Sequence, residues 1–240
     1  MWLAGVIAMD EISFDIKNRP DFAMLDVMLQ PGQKILVEPS AMACMSPSIQ
    51  MKSGVAGGAL RSIGRMLAGE SFIVNTFSAQ DQPGELVLVS GHLGDILHHR
   101  LDGIGLRLQR GAYLANGSGV EISSSWQGAK GFFSGEGLVL LKAQGQGDLF
   151  FNSYGAILEI DVTNDYYVDT SYVVAFEETL QYRISTLPGL RGGGFKRLFF
   201  SGEGLVCQFT GRGKLWIQTR SASPYLSQIH SYRPVQKNNN

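Results

Sequence analysis

An eight-residue string occurs twice in this chain, as Phe132-Phe133-Ser134-Gly135-Glu136-Gly137-Leu138-Val139 and again as Phe199-Phe200-Ser201-Gly202-Glu203-Gly204-Leu205-Val206. Stepping back by a similar interval finds a weaker third copy, Ala68-Gly69-Glu70-Ser71-Phe72-Ile73. A threefold internal repeat constrains architecture more than any composition, because a short unit that cannot bury its own apolar face must stack on its neighbours. The pairs Gly69-Glu70, Gly135-Glu136 and Gly202-Glu203 read as repeat-marking turn residues at equivalent strand starts. Catalytic constellations are normally asymmetric, so a feature kept in three places points first to structure.

The rest of each unit follows by alignment. An alternating apolar strand is expected over 24–29, 96–101 and 157–162, then a turn at Pro31-Gly32, Asp102-Gly103 or Asn164-Asp165. A second strand is expected over 35–42, 106–113 and 167–172, and a third, alternating with period two, over 49–51, 120–122 and 180–184. A Gly-rich connection, the Gly-Glu strand and a last hairpin arm over 86–89, 149–151 and 215–217 complete the unit. The pairs Gly145-Gln146-Gly147 and Gly211-Arg212-Gly213 read as hairpin turns. Helical signal is confined to 57–67, where Leu60, Ile63 and Leu67 have helical spacing around Gly64. The expectation is an all-β fold: one domain over 12–233 made of three internally repeated units (12–91, 92–155 and 156–233) in a pseudo-threefold body, with a flexible tail at 234–240.

Composition agrees. Glycine makes up 30 of 240 residues, against an average of about 7%, as many tight turns between short strands require. A formal net charge of −1 gives no global attraction to nucleic acid, so that partner is not expected. Two cysteines, Cys44 and Cys207, form no secreted disulfide framework and read as buried small hydrophobes. The apolar start runs into Asp10-Glu11 without a basic n-region and makes a poor signal peptide, and no run is long enough for a bilayer span. The expected location is cytoplasmic, with a peripheral membrane contact left open.

Chemistry-bearing motifs are few. Glu70, Glu136 and Glu203 could ring an axis as a cation site, yet a Gly-Glu strand start is the simpler reading, and no metal is expected. Residues 189–196 are Gly-rich and basic but lack the Gly-Lys-Ser/Thr ending of a phosphate loop. His98 and His99 are adjacent and on a strand point to opposite faces, which suits no shared ligand. No catalytic residue and no cofactor is expected, and the chain reads as a non-enzyme. One candidate surface remains: Arg61 and Arg65 in the first unit, Lys196 and Arg197 in the third, with Lys130 at the corresponding place in the second. Beside Leu60, Ile63, Phe195 and Leu198 they could form a basic and apolar patch for an anionic membrane surface or an acidic protein partner.

The runs Gln30-Pro31-Gly32-Gln33 through Ala41-Met42, Gly69-Glu70-Ser71-Phe72 to Asn75-Thr76-Phe77, Pro83-Gly84-Glu85-Leu86 and 199–204 together resemble the altered-inheritance-of-mitochondria protein twenty-four family, in its bacterial branch of uncharacterised proteins. The likeness runs from about Ile12 to Ile229. It implies a fold similar to the tryptophan RNA-binding attenuator protein, with three related β units in one chain. In fungal relatives it implies a role in mitochondrial inner-membrane organisation, and for bacterial members no established activity. The start of this chain lacks arginine and is not amphipathic, so no mitochondrial presequence is expected. Two functions follow: a non-enzymatic scaffold or membrane-associated organising protein, and, as the alternative, a small-ligand or nucleic-acid binding module. Self-association through strand edges or an apolar end is expected in either case.

Overall fold

A computed structural model describes residues 11–55, 73–124, 139–185, 206–230 and 232–233. Eighteen strands are found among them: β1 (Ser13–Lys17), β2 (Met24–Leu29), β3 (Lys34–Val37), β4 (Met42–Met45), β5 (Ile49–Val55), β6 (Ile73–Ala79), β7 (Gly84–Val89), β8 (Ile96–Asp102), β9 (Leu106–Gln109), β10 (Tyr113–Gly117), β11 (Val120–Ser124), β12 (Leu140–Asn152), β13 (Ile157–Val162), β14 (Tyr166–Asp169), β15 (Val173–Glu177), β16 (Gln181–Ser185), β17 (Val206–Thr210) and β18 (Gly213–Gln218). One short helix, α1 (Ala222–His230), follows. The protein is thus mostly β, arranged in three antiparallel sheets.

The pairings match at three places. β2 lies on β7 with Met24 opposite Val89, β8 on the second half of β12 with Ile96 opposite Asn152, and β13 on β18 with Ile157 opposite Gln218. The other flank of the same strands carries β4, β10 and β15. Each of these is bulged once, between Met42 and Cys44, between Tyr113 and Ala115, and between Val173 and Ala175. A bulge adds a residue and increases twist, so its recurrence fixes the same bend each time. A second set joins β3 and β5 to β6, β9 and β11 to the first half of β12, and β14 and β16 to β17.

Cross-connections link these sets. β10 pairs with β3, with Ala115 opposite Val37, and β15 pairs with β9, with Ala175 opposite Leu108. The core follows the same joints. Leu114, Ala115 and Phe150 pack with Leu25, Val27 and Phe77, while Val174, Ala175 and Trp216 pack with Leu106, Tyr113 and Phe151.

Two sequence expectations are corrected. The strands expected over 35–42, 106–113 and 167–172 end earlier, at Val37, Gln109 and Asp169, and after a corner a second strand begins at Met42, Tyr113 and Val173. The corner is a 3-10 turn at Arg110–Ala112 and at Thr170–Tyr172, and Ser40 at φ +71° opens the corresponding corner in the first stretch. Apolar residues return at Ala41-Met42, Ala112-Tyr113 and Tyr172-Val173, so the strand reads on across the polar corner. The expected turn at Gly145-Gln146-Gly147 lies inside the continuous strand β12, with Gly145 at φ +111°. A methyl group at Gly145 would sit on the Gly119 carbonyl oxygen, so Gly145→Ala is expected to cost about 1–3 kcal/mol, from a backbone closed to L side chains together with that overlap. Thermal melting of the variant checks this. The turn read at Gly211 is a hairpin between β17 and β18, with Gly211 at φ +101°.

Helix α1 was not expected from sequence. It carries exposed Leu226 and Ile229 and meets the body where Tyr225 and Tyr154 approach edge to face, 6.1 Å between ring centres. The helix read over 57–67 lies outside the described residues.

Candidate functional site

Every site residue read from sequence, Arg61, Arg65, Lys196 and Arg197 with Gly69, Glu70, Gly135, Glu136, Gly202 and Glu203, lies outside the described residues. By chain order the cations fall between β5 and β6 and between β16 and β17, and the Gly-Glu pairs come a few residues before β6, β12 and β17.

The described chain presents two buried carboxylates. Asp148, on the inner half of β12, accepts from His98 Nε2 at 2.9 Å, from Arg100 Nη1 at 2.9 Å and from the Ile12 backbone N–H at 3.2 Å. Burial pushes its carboxyl up, but the His98, Arg100 and Ile12 hydrogen bonds together outweigh that and hold it below the usual value. β8 supplies both side-chain donors because His98 and Arg100 are two apart and so share a face. Phe14 of β1 stacks over His98, 4.4 Å between ring centres, and meets Phe150 edge to face. The cluster therefore ties β1 onto β8 and β12.

Asp95 is the second. Arg19 Nε and Nη2 reach its two oxygens at 2.7 and 2.9 Å, a bidentate fork, and the Ile96 N–H donates to Oδ1. Around it Ala23 N–H donates to Gly94 O, and Asp95 N–H donates to Gly155 O. Asp95 is a knot between segments far apart in sequence.

Pairing positions put Asp148, His98 and Arg100 in correspondence with Lys214, Glu159 and Asp161. There Lys214 bonds Glu159 and lies 3.3 Å from Asp161. The acid Asp148 is thus replaced by the base Lys214, and the cation Arg100 by the acid Asp161. In the first stretch the positions hold Glu85, Asp26 and Met28, and Asp26 turns instead to Lys17 of β1. Cross-strand ion pairing survives these exchanges, whereas a shared ligand of one sign would not.

The histidines behave as expected for a strand: His98 faces Phe14, and His99 faces Trp216 at 5.2 Å on the opposite side. Burial lowers the His99 pKa. Cys207 is buried, with its thiol pushed up to about 12, but Cys44 is exposed, which corrects the expectation that both thiols are core residues. Among the described residues no group of three or more His, Cys, Asp or Glu side chains could hold a metal ion. Among them, too, no helix is long and apolar enough to cross a membrane.

Glu38 sits at the β3–β10 joint, its N–H donating to Leu114 O at 2.8 Å. Burial pushes its carboxyl up to about 7, partly offset by Arg110. A raised carboxyl pKa leaves the folded state unaffected below the unfolded value of about 4.3, and the charge then opposes folding increasingly as pH rises to about 7. Glu38→Gln is therefore expected to match the parent near pH 4 and to exceed it by about 1–2 kcal/mol above pH 8. Denaturation at the two pH values decides it.

Sequence reading missed Asp148 and Asp95. The strings Gly147-Asp148-Leu149 and Gly213-Lys214-Leu215 enter corresponding hairpin arms, and the reversal of charge between Asp148 and Lys214 is the signal that the sequence offers.

The described residues are mostly antiparallel strand, with the buried acids Asp148 and Asp95 bonded between strands and to the segments that precede them. Residues 14–220 match the family described as Mitochondrial biogenesis AIM24, and the chain belongs to that family. It is similar to the uncharacterised protein M6_Spy0233 of Streptococcus pyogenes serotype M6, 26% identical over 239 residues, covering 95% of this chain and 94% of that protein. It is also similar to the crystal structure of protein SPYM3_0169 from Streptococcus pyogenes, with a TM-score of 0.78 and 25% identity, covering 93% of this chain and 100% of that one.

Proposed function

We propose that the protein is a non-enzymatic scaffold built from three units of common design, with an attenuator-protein-like plan, that works against an anionic membrane surface. The observation that carries the reading is the contrast between what recurs and what changes. Strand pairings and bulges recur at three places, while the chemistry at matched positions runs from Asp148 with the cation Arg100 to Lys214 with the anions Glu159 and Asp161. Conserved connection with exchanged chemistry favours an organising body over a reaction site. The family description names a biogenesis role rather than a reaction, which favours the same reading.

The surface assigned to the membrane is the Gly-rich connections with Arg61, Arg65, Lys196 and Arg197. Each cation near an anionic surface is worth about 1 kcal/mol, so the attachment is weak and sensitive to salt. Co-sedimentation with phosphatidylserine vesicles tests it. Expected are binding at low salt, none to phosphatidylcholine vesicles, and loss when all four residues become Ala. Absence of binding, or binding unchanged in that variant, overturns the membrane reading.

A further inference from the structure

The sheets contain a gap of definite shape. β2–β7–β4 forms one small sheet with β1 added on its far side, and β14–β17–β16 forms another. In the large sheet the corresponding trios are fused: β8–β12–β10 continues into β3–β6–β5, and β13–β18–β15 continues into β9–β12–β11. Among the described residues β2–β7–β4 thus corresponds to the first trio of each fused pair and β14–β17–β16 to the second, and the two are separate sheets. Among the described residues β4 pairs only with β7, and β14 only with β17. The backbone knot runs the same way. Ala23 N–H donates to Gly94 O and Asp95 N–H to Gly155 O, but the corresponding Ala156 N–H donates to Thr219 Oγ1 and does not return to the first unit.

Burial marks the same edges. Every residue of β10 is buried and β15 nearly so, because a neighbouring strand covers them; every residue of β4 is exposed. Met42 and Met45 are 39% and 41% exposed, and on β14 Tyr166 and Tyr167 are 41% and 39% exposed. Soluble proteins guard edges with Lys, Pro or a cover. The edge sequence Met42-Ala43-Cys44-Met45 has no charge, and Tyr166-Tyr167-Val168-Asp169 has one.

We propose that β4 of one copy pairs antiparallel with β14 of a second copy, so that chains join head to tail through the contact that already joins their units. The register follows from the two internal joints. Ala115 faces Val37 and Ala175 faces Leu108; the matched residues are Cys44 and Val168, which brings Met45 opposite Tyr167 and Ser46 opposite Tyr166. Ser46 N–H donates to Glu85 O on β7, so the alternate N–H groups of Ala43 and Met45 point to the open side. On β14 the matching outward groups are those of Tyr167 and Asp169, since Glu38, which matches Asp169, donates across the internal joint. The contact is heterologous, with different surfaces on the two copies. It is independent of the membrane reading.

Two variants test it. Met45→Pro and Tyr167→Pro each remove one outward N–H and leave the inner ladder intact, as edge positions tolerate; Met45→Lys and Tyr167→Lys reach the same end through charge and serve if a proline variant fails to fold. Light scattering with size exclusion reads the mass at concentrations up to about 1 mM, where even a millimolar contact is populated. The intact protein is expected to associate with rising concentration, and each single variant to stay monomeric. An equimolar mixture of a Met45 variant and a Tyr167 variant is expected to form a one-to-one dimer and nothing larger, because one open β14 and one open β4 remain. A monomeric intact protein overturns the proposal, as closure within one chain would give. So does self-association of a single variant at the parent level, which would mean another surface or a symmetric contact.

Discussion

Trp216→Ala is expected to destabilise the protein by about 3–5 kcal/mol, the range for truncating a large buried aromatic. Trp216 is fully buried. It lies on β18 but packs into the cluster of Leu106, Tyr113, Leu149 and Phe151, with Phe151 edge to face at 5.7 Å, and its Nε1–H donates to Glu159 at 3.0 Å. The substitution therefore opens a cavity at the joint between consecutive sets of strands rather than within one. Against a total stability of about 5–15 kcal/mol for a folded domain, that is a large fraction. Trp216→Phe keeps most of the volume and should cost less than half as much, because Glu159 is partly exposed and finds water when its donor is gone. Urea denaturation of the two variants checks both magnitude and order; equal effects would place the importance in the hydrogen bond instead of the packing.

Asp148→Ala is expected to cost about 3 kcal/mol at neutral pH, the lower end for breaking a buried charged cluster. The acid is 3% exposed at its side chain but Arg100 is 47% exposed, so the guanidinium left behind regains water. The Ile12 N–H loses its acceptor and β1 its tie to β12. The sign with pH follows from the direction of the shift. A carboxyl held below its ordinary value stabilises the fold fully above the unfolded pKa of about 3.9 and loses that contribution as pH falls through the lower folded value. The parent should thus lose stability steeply below about pH 4, and Asp148→Ala should show a shallower loss there. Equal acid sensitivity of the two proteins would remove Asp148 from this account.

The sequence made the strand-rich, glycine-punctuated plan visible because half-buried strands alternate with period two and turns need particular residues. Met24–Leu29, the turn at Gly32 and the hairpin at Gly211 were legible for that reason. The strands that join one set of paired strands to the next were not. β4 and β10 were reached only at their first residues and β15 not at all, since the apolar residues that return after a corner such as Arg110–Ala112 read as the end of the strand before it. Nor could periodicity tell covered from open: Met42-Ala43-Cys44-Met45 and Val173-Val174-Ala175-Phe176 are alike in apolar character, and only pairing separates the exposed strand from the buried one. The buried acids escaped notice because Asp148 and Lys214 occupy one position with opposite charge, which hides the correspondence from a search for identical residues.

Backbone amide hydrogen exchange at low protein concentration tests most directly the central claim, that one kind of pairing joins β10 to β3 and β15 to β9 while, among the described residues, β4 and β14 are left without it. The account predicts slow exchange at Leu114, Asn116, Val174 and Phe176, where β10 and β15 are covered, and fast exchange at Ala43, Met45 and Tyr167, where β4 and β14 face outward. Protection of Ala43 and Met45 equal to that of Leu114 and Asn116 in the dilute monomer would contradict it.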